Sequence, residues 1–246
     1  MPAYGADLHL HSCLSPCGDL LMTPQNIIDR ALDLDLDLIA ITDHNSAENV
    51  EVAVELADQT PLTVFPGMEV ETREEVHLLC LFAEVEQVLA WQQQVYDALP
   101  EQRNQEEVFG PQVVTDLQDC YAKKVDRLLM TATSFTVEEV VAQVKKLGGV
   151  VIPSHVDKNK YSLLASLGFI PPELEIEAVE ISTNVTAAEA RKQFPQLGDY
   201  SLVTNSDAHY LQEIKKSMQL NLSQLTLEQF KSALNTTDGG QISLLI

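Results

Sequence analysis

Six histidines in 246 residues is an ordinary number, but their placement is informative. His9 and His11 close ADLHLH (6–11), His44 closes DLIAITDH (37–44), His155 closes VVIPSH (150–155) and His209 closes SLVTNSDAH (201–209), runs whose apolar or alternating character predicts strands. His77 opens a further run, VHLLCLF (76–82). Strand residues two apart face the same side, so His9 and His11 are expected to project together while Leu8 and Leu10 face helices, and Asp207 with His209 repeats that geometry. Imidazole nitrogen mixed with carboxylate oxygen suits Zn, Mn or Fe. Glu69, at the end of LTVFPGMEV (62–70), can bridge two ions, and Asp19 follows in the loop after His11. Asp7 and Asp43 are candidates for accepting the second N–H of a ligating ring, which orients it.

Each residue also has a plainer explanation. A single strand-end histidine is ordinarily hydrogen-bonded and structural, and an HxH pair also occurs on half-exposed strands. These strands, however, read as buried on both faces, where an unpaired imidazole costs about 1–3 kcal/mol, and the joint pattern favours metal. Cys13 and Cys17 flank the same loop, but a CxxxC spacing without further cysteines is a weak metal signal. Trp91 and Tyr96 stand at helical spacing and read as core or lid packing. Lys158 and Lys160, just after His155, are candidates for substrate binding, against the simpler role of solvated loop charges.

The elements that must position these residues alternate regularly. Thr23-Pro24 reads as an N-cap and first helical residue, a helix is expected from about Ala47 to Ala57, and another near Gln87 to Leu99. Residues 100–133 are polar, contain Gly110-Pro111, and read as an insertion or lid, with QVVTD and DRLLMTA as the pieces of a hairpin. Thr136 with Glu139, and Thr186 with Glu189, form capping boxes, AVEIS (178–182) is a strand, and a last helix starts near Thr226. Seven strands interleaved with helices predict a single α/β domain over residues 1–246 with a parallel sheet whose chemistry gathers at the strands' carboxyl ends.

Composition narrows the surroundings. With 45% hydrophobic and 21% charged residues the chain is an ordinary globular one, and no apolar run approaches the roughly 18 residues that span a bilayer. The N-terminal residues show no secretion signal and four cysteines are too few for a disulfide framework, so a cytoplasmic protein without a membrane partner is expected. A formal charge of −22 argues against a stable complex with long nucleic acid and favours a small substrate over a polymer; oligomeric state is not specified.

The run DLHLHSCLSPCGD, followed by AITDHN, GMEVETREEVH, PSH and NSDAH, resembles the motifs of the PHP family, named for polymerase and histidinol phosphatase, in the family's order over residues 7–209. The resemblance implies a distorted seven-stranded (β/α)7 barrel and two or three divalent ions that activate water to hydrolyse a phosphomonoester, nucleotide or short oligonucleotide end. It implies one ion at His9, His11, Glu69 and Asp207, a second at Asp19, His44 and His209, and a third at His77, His155 and Glu69. His9, His11, Glu69, Asp207 and His209 are the expected catalytic group. The rival expectations are an amidohydrolase-like enzyme on a non-phosphate substrate, which the same donors would serve, and a non-catalytic metal-stabilised module.

Overall fold

Threonine hydroxyls start four of the helices. Thr23, Thr136, Thr186 and Thr226 each accept the backbone N–H three residues on, satisfying a donor that the first helical turn leaves free. The chain, in a computed structural model that describes residues 1–235 and 241–245, runs β1 (Ala3–Leu10), α1 (Pro24–Asp33), β2 (Leu38–Ile41), α2 (Val50–Ala57), β3 (Thr63–Glu71), β4 (His77–Leu81) and α3 (Val85–Ala98). A short α4 (Glu106–Phe109), β5 (Val113–Thr115) and β6 (Tyr121–Lys124) follow, then α5 (Val137–Lys146), β7 (Val150–Pro153), α6 (Leu163–Leu167) and β8 (Ala178–Ile181). The rest is α7 (Ala187–Gln193), β9 (Ser201–Thr204), β10 (Met218–Asn221), α8 (Leu227–Leu234) and β11 (Ile242–Leu244).

All seven expected strands are present, but they do not form a closed parallel barrel. The main sheet has the order β11-β10-β1-β2-β3-β4-β7, with β8 and β9 as a separate parallel ladder. Only β1, β2 and β3 pair in parallel there; β4 runs against both β3 and β7. The cause is local: Thr72 N–H donates to the Val76 carbonyl (2.9 Å), and so tight a turn leaves no room for a crossover helix. β10 and β11 add an antiparallel edge beside β1. The expected hairpin exists as β5 with β6, but its second strand is Tyr121–Lys124 rather than the DRLLMTA segment, whose Arg127 makes only an isolated bridge to Arg103. The side chains of β6 are all exposed, so no hydrophobic period marks it.

The sheet curls. Leu38 and Ala40 of β2, Leu79 and Leu81 of β4, Ile152 of β7, Ala178 of β8 and Val203 of β9 share one inner cluster, closed by Phe230 of α8. Their alternates, Ile39 and Ile41 or Leu78 and Cys80, pack outward among the α1, α2, α3 and α5 residues. Leu10 faces α1 and α2 as expected, but Leu8 belongs to the inner cluster. A register shift explains the difference: Asp7 pairs with Ile39 and Leu10 with Ile41, so three steps on β1 oppose two on β2. That bulge reverses which face each later residue presents.

Gly67 lies in β3 where a Cβ would stand 2.7 Å from Thr42 Cγ2 and 3.1 Å from the Ile41 carbonyl, whereas a Cβ on Gly198 meets nothing. Gly67→Ala is therefore expected to lower unfolding stability by about 1–3 kcal/mol, as overpacking does, and Gly198→Ala to change it little. Urea midpoints for both variants check this.

Candidate metal centre

Glu69 is 1% exposed and has five imidazoles around it. Its Oε1 lies 3.2 Å from His9 Nε2, 3.3 Å from His77 Nδ1 and 3.7 Å from His155 Nε2; its Oε2 lies 3.2 Å from His44 Nδ1 and 3.5 Å from His11 Nε2. Asp207 Oδ1 is 3.4 Å from both His9 Nε2 and His11 Nε2, and the His209 ring stacks on His11 with centroids 4.2 Å apart. The ends of β1, β2, β3, β7 and β9 and the start of β4 thus meet at one mouth.

The local backbone is less regular than expected. β2 stops at Ile41, and His44 is tied to Glu69 by an isolated bridge. β9 stops at Thr204, and Asp207 has φ +54°, so Asp207 and His209 lie in a loop and not on a strand with shared side-chain direction. That loop is held by Asp7, whose Oδ1 accepts the Ser206 N–H (2.9 Å). Asp7 therefore positions a loop rather than an imidazole. Asp43 accepts from the hydroxyls of Ser12 (2.6 Å) and Ser15 (2.7 Å), and Ser15 Oγ in turn meets His11 Nδ1 at 2.9 Å. Its influence on His11 passes through Ser15.

Glu180, from β8, went unrecognised in the sequence. Its carboxylate meets His9 Nδ1 at 3.1 and 3.2 Å and accepts the His155 N–H (3.0 Å) and the Asn205 amide (2.7 Å). The signal was an acidic side chain in the middle of a strand otherwise read as apolar. Tyr161, stacked on His77 with centroids 4.8 Å apart, had no such signal.

This arrangement fits divalent cations. With the His9 Nδ1–H directed at Glu180, the Nε2 lone pair points inward, where His11 Nε2 is only 3.2 Å away. Glu69 Oε1 and His155 Nδ1 are buried without a hydrogen bond. Donor atoms within 4.8 Å of one another form three groups: His9, His11 and Glu69; His44, Glu69 and His77; and His11, His44 and His209. The grouping differs from the expected one in sharing His11 and His44 between groups. Asp19 is in none of them: its Oδ1 accepts the Leu21 N–H (2.8 Å), while its own N–H donates to the His209 carbonyl (2.9 Å).

The electrostatics favour positive charge. Burial opposes a proton on His9, but Glu180, Glu69 and Asp207 outweigh it and hold the ring well above the usual imidazole range. Burial together with His209 and His44 pushes His11 well below that range, and burial takes His155 down to about 4. Glu69 and Asp207 resist burial and stay well below the usual carboxylate range, chiefly through His77 and His9 respectively. Burial would raise the Cys17 thiol, but hydrogen bonds shared with His209 and His44 bring it down to about 6.

The cluster floors a cavity of about 700 Å³ whose walls include Glu71, Glu75, Phe109, Tyr161, Lys158 and Lys160. Both expected lysines are there, and Lys158 Nζ lies 2.6 Å from Asp207 Oδ2.

An open, curled α/β sheet with histidines and carboxylates gathered at one rim defines a class of metal-centred folds. Residues 7–131 match the model of the PHP domain, half of the chain, and the protein belongs to that family. A stretch of 80 residues is 32% identical to the 5'-3' exoribonuclease Rnm of Salmonella typhimurium, covering 30% of this chain and 26% of that protein. The fold is similar to a lesion-specific endonuclease from Pyrococcus furiosus, with TM-score 0.73 and 18% identity over 100% of this chain and 58% of that one. It is also similar to an amidohydrolase from Chromobacterium violaceum, with TM-score 0.60 and 17% identity over 98% of both chains. This chain therefore spans only part of the exoribonuclease and of the endonuclease.

Two outcomes are expected. Titrating chelated protein with Mn²⁺ or Zn²⁺ to about 100 times Kd should stabilise it by about 2.7 kcal/mol, raising the thermal midpoint by roughly 5–10 °C, and His9→Ala should lose most of that rise. An unchanged wild-type midpoint would remove the metal assignment. Burial also raises Asp7 from 3.8 to about 7 against its hydrogen bonds to Ser206. Below about pH 4 both folded and unfolded chains are protonated there; between about 4 and 7 the folded chain keeps a proton the unfolded one has lost, so stability falls as pH rises. Urea midpoints of chelated wild type and Asp7→Asn should diverge over that window, the variant gaining relative stability toward pH 8.

Proposed function

We propose that the protein is a metal-dependent phosphoesterase acting on nucleotides or nucleic-acid ends. The observation that carries this reading is the convergence of Glu69, Asp207 and the imidazole lone pairs on the floor of a cavity with lysines on its wall. His9, His11, Glu69 and Asp207 would hold one ion, His44 and His209 a second with His11, and His77 and His155 a third with Glu69. Bound ions of this kind supply Lewis acidity, activating water and neutralising charge on a phosphoryl group. The chain's own part is positioning: Glu180 fixes His9, Asp43 fixes His11 through Ser15, and Asp7 fixes the Asp207 loop. Lys158, now on Asp207, stands where it can turn to a phosphate oxygen, with Lys160 beyond it.

The net charge led to an expectation of no long nucleic acid, and the relatives named an exoribonuclease and an endonuclease count against it. A charge of −22 is summed over the whole surface, whereas a phosphate at the mouth responds to the local field of ions and lysines. Nucleic-acid termini therefore join the proposed substrates. No helix among the described residues is long and apolar enough to cross a membrane. The unpaired cysteines support a cytoplasmic setting.

Phosphate release from p-nitrophenyl phosphate, mononucleotides and short RNA and DNA oligonucleotides tests the reading. His9→Ala or Asp207→Ala is expected to lower turnover by about 10²–10³ with the far-ultraviolet circular dichroism retained. Lys158→Ala should raise KM about tenfold, the loss of one charge-assisted hydrogen bond. The likeness to an amidohydrolase favours a second reading, and turnover of amides or lactones without any phosphate release would establish it in place of the first.

A further inference from the structure

The loop after β7 brings Lys158, Lys160 and Tyr161 to the cavity in close succession. The lysines suit a phosphate, and the tyrosine belongs to no donor group. Tyr161 has φ +54°, a left-handed backbone that bulky residues rarely adopt, and its carbonyl accepts the His77 N–H (3.0 Å). Ser162 Oγ donates to the Lys158 carbonyl (2.6 Å) and ties the same loop to itself. Strain of this kind persists only where the surroundings enforce it, and it gathers at ligand sites. Its outcome here is a phenol ring laid on His77, with 4.8 Å between centroids and 19° between planes, in a residue still 45% exposed. One face is covered by a ring of the donor cluster, and what remains exposed borders the cavity. The aromatic residues that stood out in the sequence are engaged elsewhere: Trp91 is buried and stacks on Phe135, and Tyr96 takes the Arg127 guanidinium 4.3 Å from its ring centre. The insertion adds Phe109 and Met130 to the same cavity and is pinned to the rim. Buried Asn45 donates to the Leu129 and Thr131 carbonyls (2.7 and 2.9 Å) and accepts the Glu71 N–H (3.0 Å), and Asn104 donates to the Gly110 carbonyl (2.8 Å).

We infer that Tyr161 is the stacking platform for a nucleobase, and so the residue by which the site tells nucleotides from phosphate esters that lack a base. This rests on the phosphoesterase reading and concerns the base of the nucleotide whose phosphate meets the donor cluster. A tyrosine needed only to fill space would be buried; an aromatic ring held open beside two lysines suits a flat ligand joined to an anion. Phe109 and Met130 complete the apolar surroundings of that base. Every base has a π-face, so stacking selects the class of substrate and tolerates any of the bases.

The test compares kcat/KM for AMP and for ribose 5-phosphate in the metal-loaded full chain, as wild type, Tyr161→Phe and Tyr161→Leu. Wild type and Tyr161→Phe are expected to prefer AMP by about ten- to a hundredfold, and Tyr161→Leu to lose that preference through a higher KM for AMP. A leucine that only disturbs His77 lowers kcat for both esters alike, and a preference left intact in that variant would overturn the platform. Equal use of the two esters by wild type would overturn it as well and leave the phosphoesterase standing. Binding is read separately by saturation-transfer NMR with AMP on the chelated chain. The base protons should take up more saturation than the ribose protons in wild type and lose that lead in Tyr161→Leu. Uptake indifferent to Tyr161 would overturn the platform. Uptake that depends on Tyr161, with neither ester hydrolysed by the loaded chain, would overturn the phosphoesterase reading and keep the base site.

Discussion

A carboxylate buried among imidazoles is the constraint around which the rest is arranged. Glu69 is withdrawn from water, and the groups nearest to it are lone-pair donors crowding each other as closely as the 3.2 Å between His9 and His11 Nε2. Such a set is costly unless positive charge sits within it. Protons supply part of that charge when the rings alone are present, and divalent ions supply it more compactly. The same field that keeps His9 protonated is the one that would draw in a cation, so affinity for metal and loss of protons are two sides of one equilibrium.

The scaffold serves that constraint through small departures from regularity. The bulge in β1 changes the phase of the strand just before His9, so Leu8 joins the inner cluster and Leu10 the outer one. The tight return from β3 to β4 sets Glu71 opposite His77 in the ladder, which brings His77 to the end of the sheet that carries Glu69. The positive φ values of His155 and Asp207 place their side chains where extended backbone would not. Behind the donors stand Glu180, Asp43 and Asp7, each fully or almost fully buried and each fixing a different piece of the rim.

Charge is distributed with the same economy. The surface is strongly acidic, yet the cavity wall carries Lys158 and Lys160 beside the donor cluster. Among the described residues, the lysine or arginine contact to the donor set is that of Lys158 with Asp207, one that an incoming anion can compete for. The mouth therefore carries positive charge inside an envelope that is negative overall.

The donors were legible in the sequence because histidine and carboxylate at the ends of apolar runs are rare enough in combination to stand out, and His9, His11, His44, Glu69, His77, His155, Asp207 and His209 do meet. Four helices were legible through their threonine caps and the seven strands through their apolar runs, while the short helices α4 and α6 and the short edge strands β10 and β11 escaped notice. Strand direction was not legible, since an apolar run reads the same whichever way its partner goes, and the length of the connection decides between parallel and antiparallel. Nor could spacing show that Asp19 turns back onto the Leu21 N–H, or that Glu180 reaches His9 across 171 residues of sequence. Residue type and period are local properties and determined which groups this protein has to work with; which donors share an ion depends on distances across the pocket, and only the folded chain decides those.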